Sequence, residues 1–345
     1  MVMRDAQLDI YRALLMMYIP CVTHVMYWLM DGREPLLSLL LFEMPLVYFV
    51  SGAALAVSHS RRGLLDTVLG RLHRVVIPYY IYALVLLTGG SALWLAGSAI
   101  GCPAIQLIDP TCYSMKDLAS IALCRDIPQF PFTWHLWFIP PYLILSCTFP
   151  LQARLARRCG RAPYMAACLA AFFLAQAVTG NDLVRQVLGY NVFMVAGYLF
   201  YRQMPNRGIA LAGAASLAAL LAGTWWTGAS FFPMQGHKFP PDWLFVLYGL
   251  LALCLLGLVM GRCRLQGNRL LDLWSKRGYH IYLYQNVVFT IVEALRVNTV
   301  IGQPTAPVAR CLIDAAIVLV LSTGLSLLTF PVEKAVMKRI KPAVR

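Results

Sequence analysis

A histidine and an arginine share the first apolar segment of the chain, LDIYRALLMMYIPCVTHVMYW. Asp9 and Arg12 lie toward its start and His24 toward its end. Ionisable side chains are costly inside a bilayer, so they indicate function or a partner in the interior of a helix bundle. A neutral imidazole, with a pKa of about 6.5, can take a proton from an attacking hydroxyl. The segment therefore predicts a general base at His24, with Arg12 orienting it, steering a donor or stabilising negative charge.

A simpler interpretation of the same residues stays open. Asp9 and Arg12 are one helical turn apart and can neutralise each other. His24 can lie satisfied at the membrane interface without any chemical role.

A second candidate is the pair Arg71 and Arg74 in RLHRVVIPYY, an inner loop leading into the third apolar segment. Residues three apart share one face of a helix, so two guanidinium groups would project together. Arginine binds phosphate bidentately, and coenzyme A carries a 3′-phosphate and a pyrophosphate. The alternative is a cytoplasmic anchor of the kind that Lys and Arg clusters commonly form beside membrane spans.

The composition indicates that these residues belong to a membrane protein. Of the 345 residues, 60% are apolar and 13% are charged, with a mean hydropathy of +0.67, whereas soluble domains carry about 25% charged residues. A helical span needs roughly 20 apolar residues. We predict an all-α polytopic membrane protein, a single transmembrane domain over residues 1–345 with no separate soluble domain. Its ten spans lie near 8–30, 36–58, 75–96, 133–151, 163–180, 183–201, 208–226, 242–260, 279–295 and 311–331.

The distribution of positive charge gives the orientation. With the amino terminus in the cytoplasm, 21 of the 29 Lys and Arg residues fall on the inside. This asymmetry predicts that both termini are cytoplasmic. It also explains the net charge of +14 without a nucleic acid partner. Two outer segments, 97–132 and 227–241, are long enough to form a lid or a binding rim.

The ten cysteines show no metal-binding spacing, and we predict no metal site. Cys102, Cys112 and Cys124 share the 97–132 segment. If that segment is extracytoplasmic, two of them can form a disulfide.

Six stretches, taken in order, resemble the acyltransferase-3 family of integral membrane O-acyltransferases: LDIYRALLMMYIPCVTH, PLVYFVSGAAL, RLHRVVIPYYIY, WHLWFIPPYL, HKFPPDWLFVLYG and GYHIYLYQ. The resemblance runs along nearly the whole chain. It implies that His24 is the catalytic residue and Arg12 its companion, and that Arg71 with Arg74 forms part of an acyl-coenzyme A site.

Two features depart from the family pattern. The family usually has ten residues between the arginine and the histidine, whereas eleven separate Arg12 from His24. Eleven steps turn an α-helix through about 1100°, nearly back to the same face, and twelve overshoot by about 100°. We therefore predict a kink or a π-turn between Met16 and His24, near Pro20. In the last stretch, Gly278 replaces the family's serine and His280 is inserted.

An acceptor site is predicted on the outer side. The candidates to line it are Glu43, His135, Trp137, Lys238 and Tyr282. Aromatic and carboxylate side chains suit a glycan, although ordinary interfacial packing would account for each residue as well.

The function that these patterns imply is transfer of an acyl group, acetyl by resemblance, from cytoplasmic acyl-CoA to a hydroxyl of an extracytoplasmic glycan or glycolipid. The expected partners are acyl-CoA, a carbohydrate or lipid-linked sugar acceptor, and membrane lipid, with the protein in the bacterial inner membrane. A transporter or flippase with buried Arg and His in its substrate or proton path is the alternative. That class predicts an internal repeat, which the two halves of the sequence do not show. A non-catalytic scaffold is a third class, for which a buried Arg and His would be a needless cost.

Overall fold

A computed structural model describes residues 5–27, 35–57, 64–101, 109, 114–125, 132–261, 265–297 and 307–340. The described chain is 87% helical and contains no strand. Helices dominate because a bilayer offers no water to backbone N–H and C=O groups, which must then pair within their own segment. The predicted all-α polytopic class is confirmed.

Eleven α-helices follow one another in the described chain. They are α1 Ala6–Tyr18, α2 Glu43–Val57, α3 Leu64–Ile100, α4 Met115–Ala122, α5 Ile139–Cys159, α6 Arg161–Val178, α7 Asp182–Phe200, α8 Asn206–Thr227, α9 Trp243–Met260, α10 Arg269–Val297 and α11 Pro307–Ile340. A π-helix, Ile19–Met26, continues α1, and 3₁₀-helices span Pro35–Leu40, Trp134–Phe138 and Met234–His237.

Eight helices of the described chain are long and apolar enough to cross a membrane. They coincide with the predicted second to eighth spans and the tenth. The first and ninth predicted spans correspond to α1 with its π-helix and to α10, which is 29 residues long. Charged side chains lower the hydropathy of both helices: Asp9 and Arg12 in α1, and Arg269, Asp272, Lys276 and Arg277 in α10.

The predicted irregularity in the first span is confirmed. Asp5 caps the start of α1 by accepting hydrogen bonds from the backbone N–H groups of Gln7 and Leu8. The α-helix ends at Tyr18, and the chain continues as a π-helix from Ile19 to Met26. Pro20 lies within that segment and has no N–H to donate. A π-helix turns less per residue than an α-helix, which is the correction that the additional residue between Arg12 and His24 requires.

The predicted outer segment 97–132 includes the end of α3 and the short helix α4. Ser114 caps α4 in a reciprocal arrangement with Asp117, and the hydrogen bonds from Ser114 lower the pKa of the Asp117 carboxyl. Cys124 follows this helix as a buried free thiol, and burial raises its pKa to about 11. Cys102 and Cys112 lie outside the described residues, so a disulfide between them stays a prediction.

The chain divides into two compact units. The first contains Met1–Ile19, Tyr27–Gly63 and Ile144–Lys276, and the second contains Pro20–Met26, Leu64–Leu143 and Arg277–Arg345. In the second unit α3 packs against α11, and the Tyr279 hydroxyl of α10 donates to the carbonyl of Val75 in α3 (3.1 Å). The prediction of a single domain over residues 1–345 stays a prediction.

The first unit is organised around a backbone contact between α2 and α7. A Cβ atom added to Gly52 would lie 1.9 Å from the carbonyl oxygen of Met194, and one added to Gly197 would lie 1.9 Å from that of Phe49. No side chain fits at such distances. Small residues let helices approach closely in membranes, where packing replaces the hydrophobic effect as the source of association.

Substitution of Gly52 by alanine is expected to destabilise the protein by about 1–3 kcal/mol, because the new methyl group would separate α2 from α7. Gly89, within α3, is the matched control: nothing lies within 4 Å of its added Cβ, so Gly89→Ala should be neutral or stabilising by up to about 1 kcal/mol. Thermal unfolding of both variants in detergent measures the difference. Equal melting temperatures would contradict this account of the contact.

Candidate functional site

His24 lies in the π-helix and is 7% exposed. Its ring meets the ring of Trp134 edge-on, with centroids 5.0 Å apart. The rings of Tyr282 and His135 lie 6.3 and 6.5 Å away. All four residues belong to the second unit. Two of the predicted acceptor residues, His135 and Tyr282, are thereby placed beside the predicted base.

Tyr282 connects these rings. It lies on α10 with its ring centroid 5.1 Å from that of His135 and 4.9 Å from that of Phe138. Its hydroxyl donates a hydrogen bond to the backbone carbonyl of His135. The 3₁₀-helix Trp134–Phe138 is thus fixed against α10, and the imidazoles of His24 and His135 face one aromatic wall.

Trp137, the other predicted acceptor residue of this stretch, packs edge-on against Phe138 with centroids 6.4 Å apart. Trp134, which the sequence analysis did not single out, is the tryptophan that lies beside His24. Nothing in WHLWF distinguishes the two tryptophans, since the segment is a single short turn whose direction depends on its neighbours. A substrate role for Trp137 stays a prediction.

Several buried polar atoms near this cluster have no hydrogen-bond partner among the described residues. They are the hydroxyl of Thr23, which precedes His24, and both amide atoms of Gln285. Both ring nitrogens of His135 face the backbone of Tyr282 and Leu283 without a hydrogen bond of normal geometry. Buried polar groups are rarely left unsatisfied, so each of these atoms is a place where water or a ligand can bind. Other such atoms, on Ser146 and Asn191, lie in the first unit.

Gln285 is a residue that the sequence argument missed. It is fully buried on α10, three residues after Tyr282 and hence on the same side of that helix. The signal available in the sequence was an amide side chain within an apolar span, where polar residues are expensive.

Arg71 and Arg74 both lie on α3, so the segment predicted as a loop is helical and the two side chains share a face. Arg71 is half-buried and Arg74 is exposed. They belong to the same unit as His24. The hydrogen bond from Tyr279 to Val75 fixes α10 beside the end of this pair. At a rise of 1.5 Å per residue, Arg71 is roughly 10 Å along the helices from Tyr282.

Arg12 belongs to the first unit. Its Nη1 lies 3.1 Å from Oδ1 of Asp9, and Ser275 also donates to that oxygen (3.4 Å). The ion pair considered for these two residues is therefore present. Arg12 remains 37% exposed on its side chain, which leaves guanidinium N–H groups accessible beyond Asp9.

Glu43 forms a buried ion pair with Lys238 in the first unit. The two side chains are 1% and 4% exposed. The carbonyl of Lys238 accepts a hydrogen bond from Tyr190 (3.1 Å), whose ring stacks on that of Tyr48. Glu43 thus stabilises the loop that contains Lys238, and its predicted role in acceptor binding stays a prediction.

A second ionic cluster occurs where α10 meets α11. One carboxylate oxygen of Glu333 lies 3.1 Å from Nη1 of Arg277 and 2.7 Å from Nε2 of His280. The Arg277 guanidinium also stacks on the Phe330 ring at 3.4 Å. His280, which departs from the family pattern, is therefore part of a helix–helix contact.

No group of three or more His, Cys, Asp or Glu side chains among the described residues has the arrangement of a metal site. The arrangement around His24 instead provides two imidazoles in an aromatic setting, and the Gln285 amide lies about one helical turn from Tyr282 along α10. Such a set can move a proton and donate hydrogen bonds.

Comparison with known families gives one match: the model of an acyltransferase domain matches residues 5–330. This range covers nearly the whole chain and includes every residue of the cluster. No curated protein and no solved structure gives a match.

Removal of Lys238 tests the buried ion pair. Lys238→Met leaves Glu43 buried and unpaired, which should cost about 3–5 kcal/mol of stability. The double variant Glu43→Gln with Lys238→Met should recover most of this loss, because neither charge remains. Lys276→Met is the control, since Lys276 and Asp272 form an exposed pair worth less than about 1 kcal/mol. The stabilities of the three variants are compared by their melting temperatures in detergent. A double variant that is no more stable than Lys238→Met would refute the pairing.

Proposed function

The chain belongs to the acyltransferase-3 family of membrane acyltransferases, and from this premise we propose that it transfers an acyl group from cytoplasmic acyl-CoA to an extracytoplasmic acceptor. The acyl group is acetyl and the acceptor is a hydroxyl of a glycan or glycolipid of the cell envelope. The protein acts in the bacterial inner membrane, with both termini in the cytoplasm.

One observation supports this proposal above the others: buried His24 lies against His135 and Tyr282 in the same unit as Arg71 and Arg74. A transporter would also tolerate buried imidazoles. An acyltransferase needs a donor site as well as a base. The arginine pair offers a binding site for the phosphates of coenzyme A at the predicted cytoplasmic end of the same unit.

The donor would bind with its phosphates on Arg71 and Arg74. Guanidinium groups are planar, permanently charged and suited to bidentate contact with phosphate oxygens. Arg71 is half-buried on α3, so its charge is less screened by water than that of an exposed residue. The flexible arm of coenzyme A would then extend along α3 and α10 toward Tyr282 and His24.

The chemical step requires a base, because a thioester is already activated and only the acceptor needs a proton removed. Neutral His24 accepts the hydroxyl proton as the hydroxyl oxygen attacks the thioester carbonyl. The carbon–sulfur bond breaks, and the leaving thiolate takes the proton from His24, which regenerates the neutral ring. In the alternative route a ring nitrogen of His24 attacks the thioester carbonyl, and an acyl–nitrogen bond forms as the carbon–sulfur bond breaks and the thiolate of coenzyme A leaves. The acceptor hydroxyl then attacks the acyl group, the acyl–nitrogen bond breaks, and the hydroxyl proton passes to the thiolate.

Negative charge develops on the carbonyl oxygen during this attack. A buried amide donor stabilises such an oxyanion strongly, since the surroundings have a low dielectric constant and the donor needs no reorganisation. Gln285 has a buried Nε2 with no partner among the described residues, one turn from Tyr282. We assign it as the oxyanion donor. Arg12 belongs to the other unit, and its role as companion of His24 is proposed from the family resemblance alone.

The first experiment measures release of free coenzyme A from acetyl-CoA by purified protein supplied with a mixed bacterial glycan extract. His24→Ala should reduce turnover by about 10²–10⁴-fold, the range for loss of a general base. Arg71→Ala should instead raise the KM for acetyl-CoA about tenfold or more, the effect of losing a charged hydrogen bond. Arg154→Ala, an exposed cytoplasmic arginine outside the pair, is the control.

Equal turnover in wild type and His24→Ala would move catalysis away from the π-helix. A KM unchanged in Arg71→Ala would remove the phosphate assignment. Binding of acetyl-CoA measured separately in detergent distinguishes an unsuitable acceptor from a protein that does not use this donor.

Gln285→Leu gives a second kinetic prediction. Loss of an oxyanion donor should lower kcat about 10²–10³-fold and leave the KM for acetyl-CoA nearly unchanged. A raised KM with normal kcat would show instead that Gln285 binds the ground state. A melting temperature equal to that of wild type establishes that the variant folds.

A further inference from the structure

A groove of about 370 Å³ opens in the first unit among α1, α2, α8 and α9. Its walls are almost entirely apolar, and they include Leu14, Leu46, Ile209, Leu253 and Gly257. The proposed reaction does not use it, and His24 belongs to the other unit.

The length of this groove corresponds to one leaflet of a bilayer. Along α1 it extends from Leu8 to Tyr18, ten residues that rise about 15 Å. The hydrocarbon core of a bilayer is about 30 Å thick. A single acyl chain that enters from one surface would therefore fill the groove and end near the middle of the membrane.

The mouth of the groove is polar at one end only. Arg202 and Asn206 line it there, where α7 ends and α8 begins. The Arg202 side chain is 58% exposed and its Nη2 lies 3.1 Å from Oδ1 of Asp5. The backbone of Arg202 has φ +56°, a left-handed conformation uncommon for arginine. Positive charge predicts that this end faces the cytoplasm.

We propose that this groove holds one acyl chain of an anionic phospholipid from the cytoplasmic leaflet, with its phosphate against Arg202 and the Asn206 amide. Charge complementarity selects this occupant. Arg202 is the only cation among the groove-lining residues of the described chain, and Asp5 already offsets part of its charge. One phosphodiester fits such a mouth, whereas coenzyme A would bring several phosphate charges.

The test is native mass spectrometry of the protein purified in detergent and exposed to equal amounts of phosphatidylglycerol and phosphatidylcholine with identical chains. One bound phospholipid should survive, with phosphatidylglycerol favoured about fivefold, the effect of one cation near an anionic headgroup. A retained acyl-CoA or sugar-linked lipid in place of phospholipid would overturn the assignment.

Two substitutions at one position test the groove itself. A Cβ on Gly257 would lie 3.7 Å from Ile209, which is ordinary contact, so Gly257→Ala should keep the bound lipid. Gly257→Leu should fill the groove and abolish lipid retention. If the leucine variant keeps wild-type folding and retains the same lipid, the proposal is wrong.

Substitutions of two arginines distinguish a direct contact with the lipid headgroup from a general effect of positive charge on lipid preference. Arg202→Gln should remove the preference for phosphatidylglycerol, and it should fold because the side chain is largely exposed. Arg207→Gln removes an equally exposed charge on α8 that does not line the groove, and the preference should remain. An unchanged preference in Arg202→Gln would overturn the headgroup assignment even if Gly257→Leu fails to fold.

Discussion

A polar atom inside a bilayer must find its partner within the protein, and this constraint shapes almost every feature described above. Backbone groups meet it by forming helices over nearly the whole described chain. Charged side chains satisfy the same constraint by forming ion pairs: Arg12 with Asp9, Lys238 with Glu43, and Arg277 with Glu333. In a buried pair the attraction at short range offsets part of the desolvation cost of the two charges, and loss of one partner leaves the other charge uncompensated.

Some buried polar atoms are exceptions to this constraint, and they occur in both units. Thr23 and Gln285 lack partners among the described residues, and they lie in the same unit as His24 and His135. An unsatisfied amide or hydroxyl in a low-dielectric interior is expensive. In the proposed mechanism the substrate would supply the missing partner of Gln285, which is the usual relation between stability and function in a preorganised site.

Much of this arrangement could be predicted from the sequence. Runs of apolar residues located the spans, because hydropathy depends on composition and not on tertiary contacts. The π-helix could be predicted from one additional residue between Arg12 and His24 and a proline between them, since the number of residues fixes the angle. Arg71 and Arg74 were found as a pair for the same reason.

Other features depend on contacts that no local pattern encodes. The partner of Glu43 lies 195 residues away along the chain, and nothing in either segment indicates the pairing. The choice of Trp134 over Trp137 depends on how a single 3₁₀ turn packs on α10. Gln285 gave only the general signal of an amide in an apolar span, and its complete burial depends on how α10 packs against its neighbours.

The π-helix at Ile19–Met26 also bears on how relatives of this protein are found. A π-helical segment accommodates one inserted residue without disturbing the helix on either side. A search that demands a fixed spacing of ten residues between arginine and histidine would therefore reject this chain. Sequence patterns for buried helical sites are better written in angles than in residue counts, with one residue of tolerance wherever a proline falls between the two side chains.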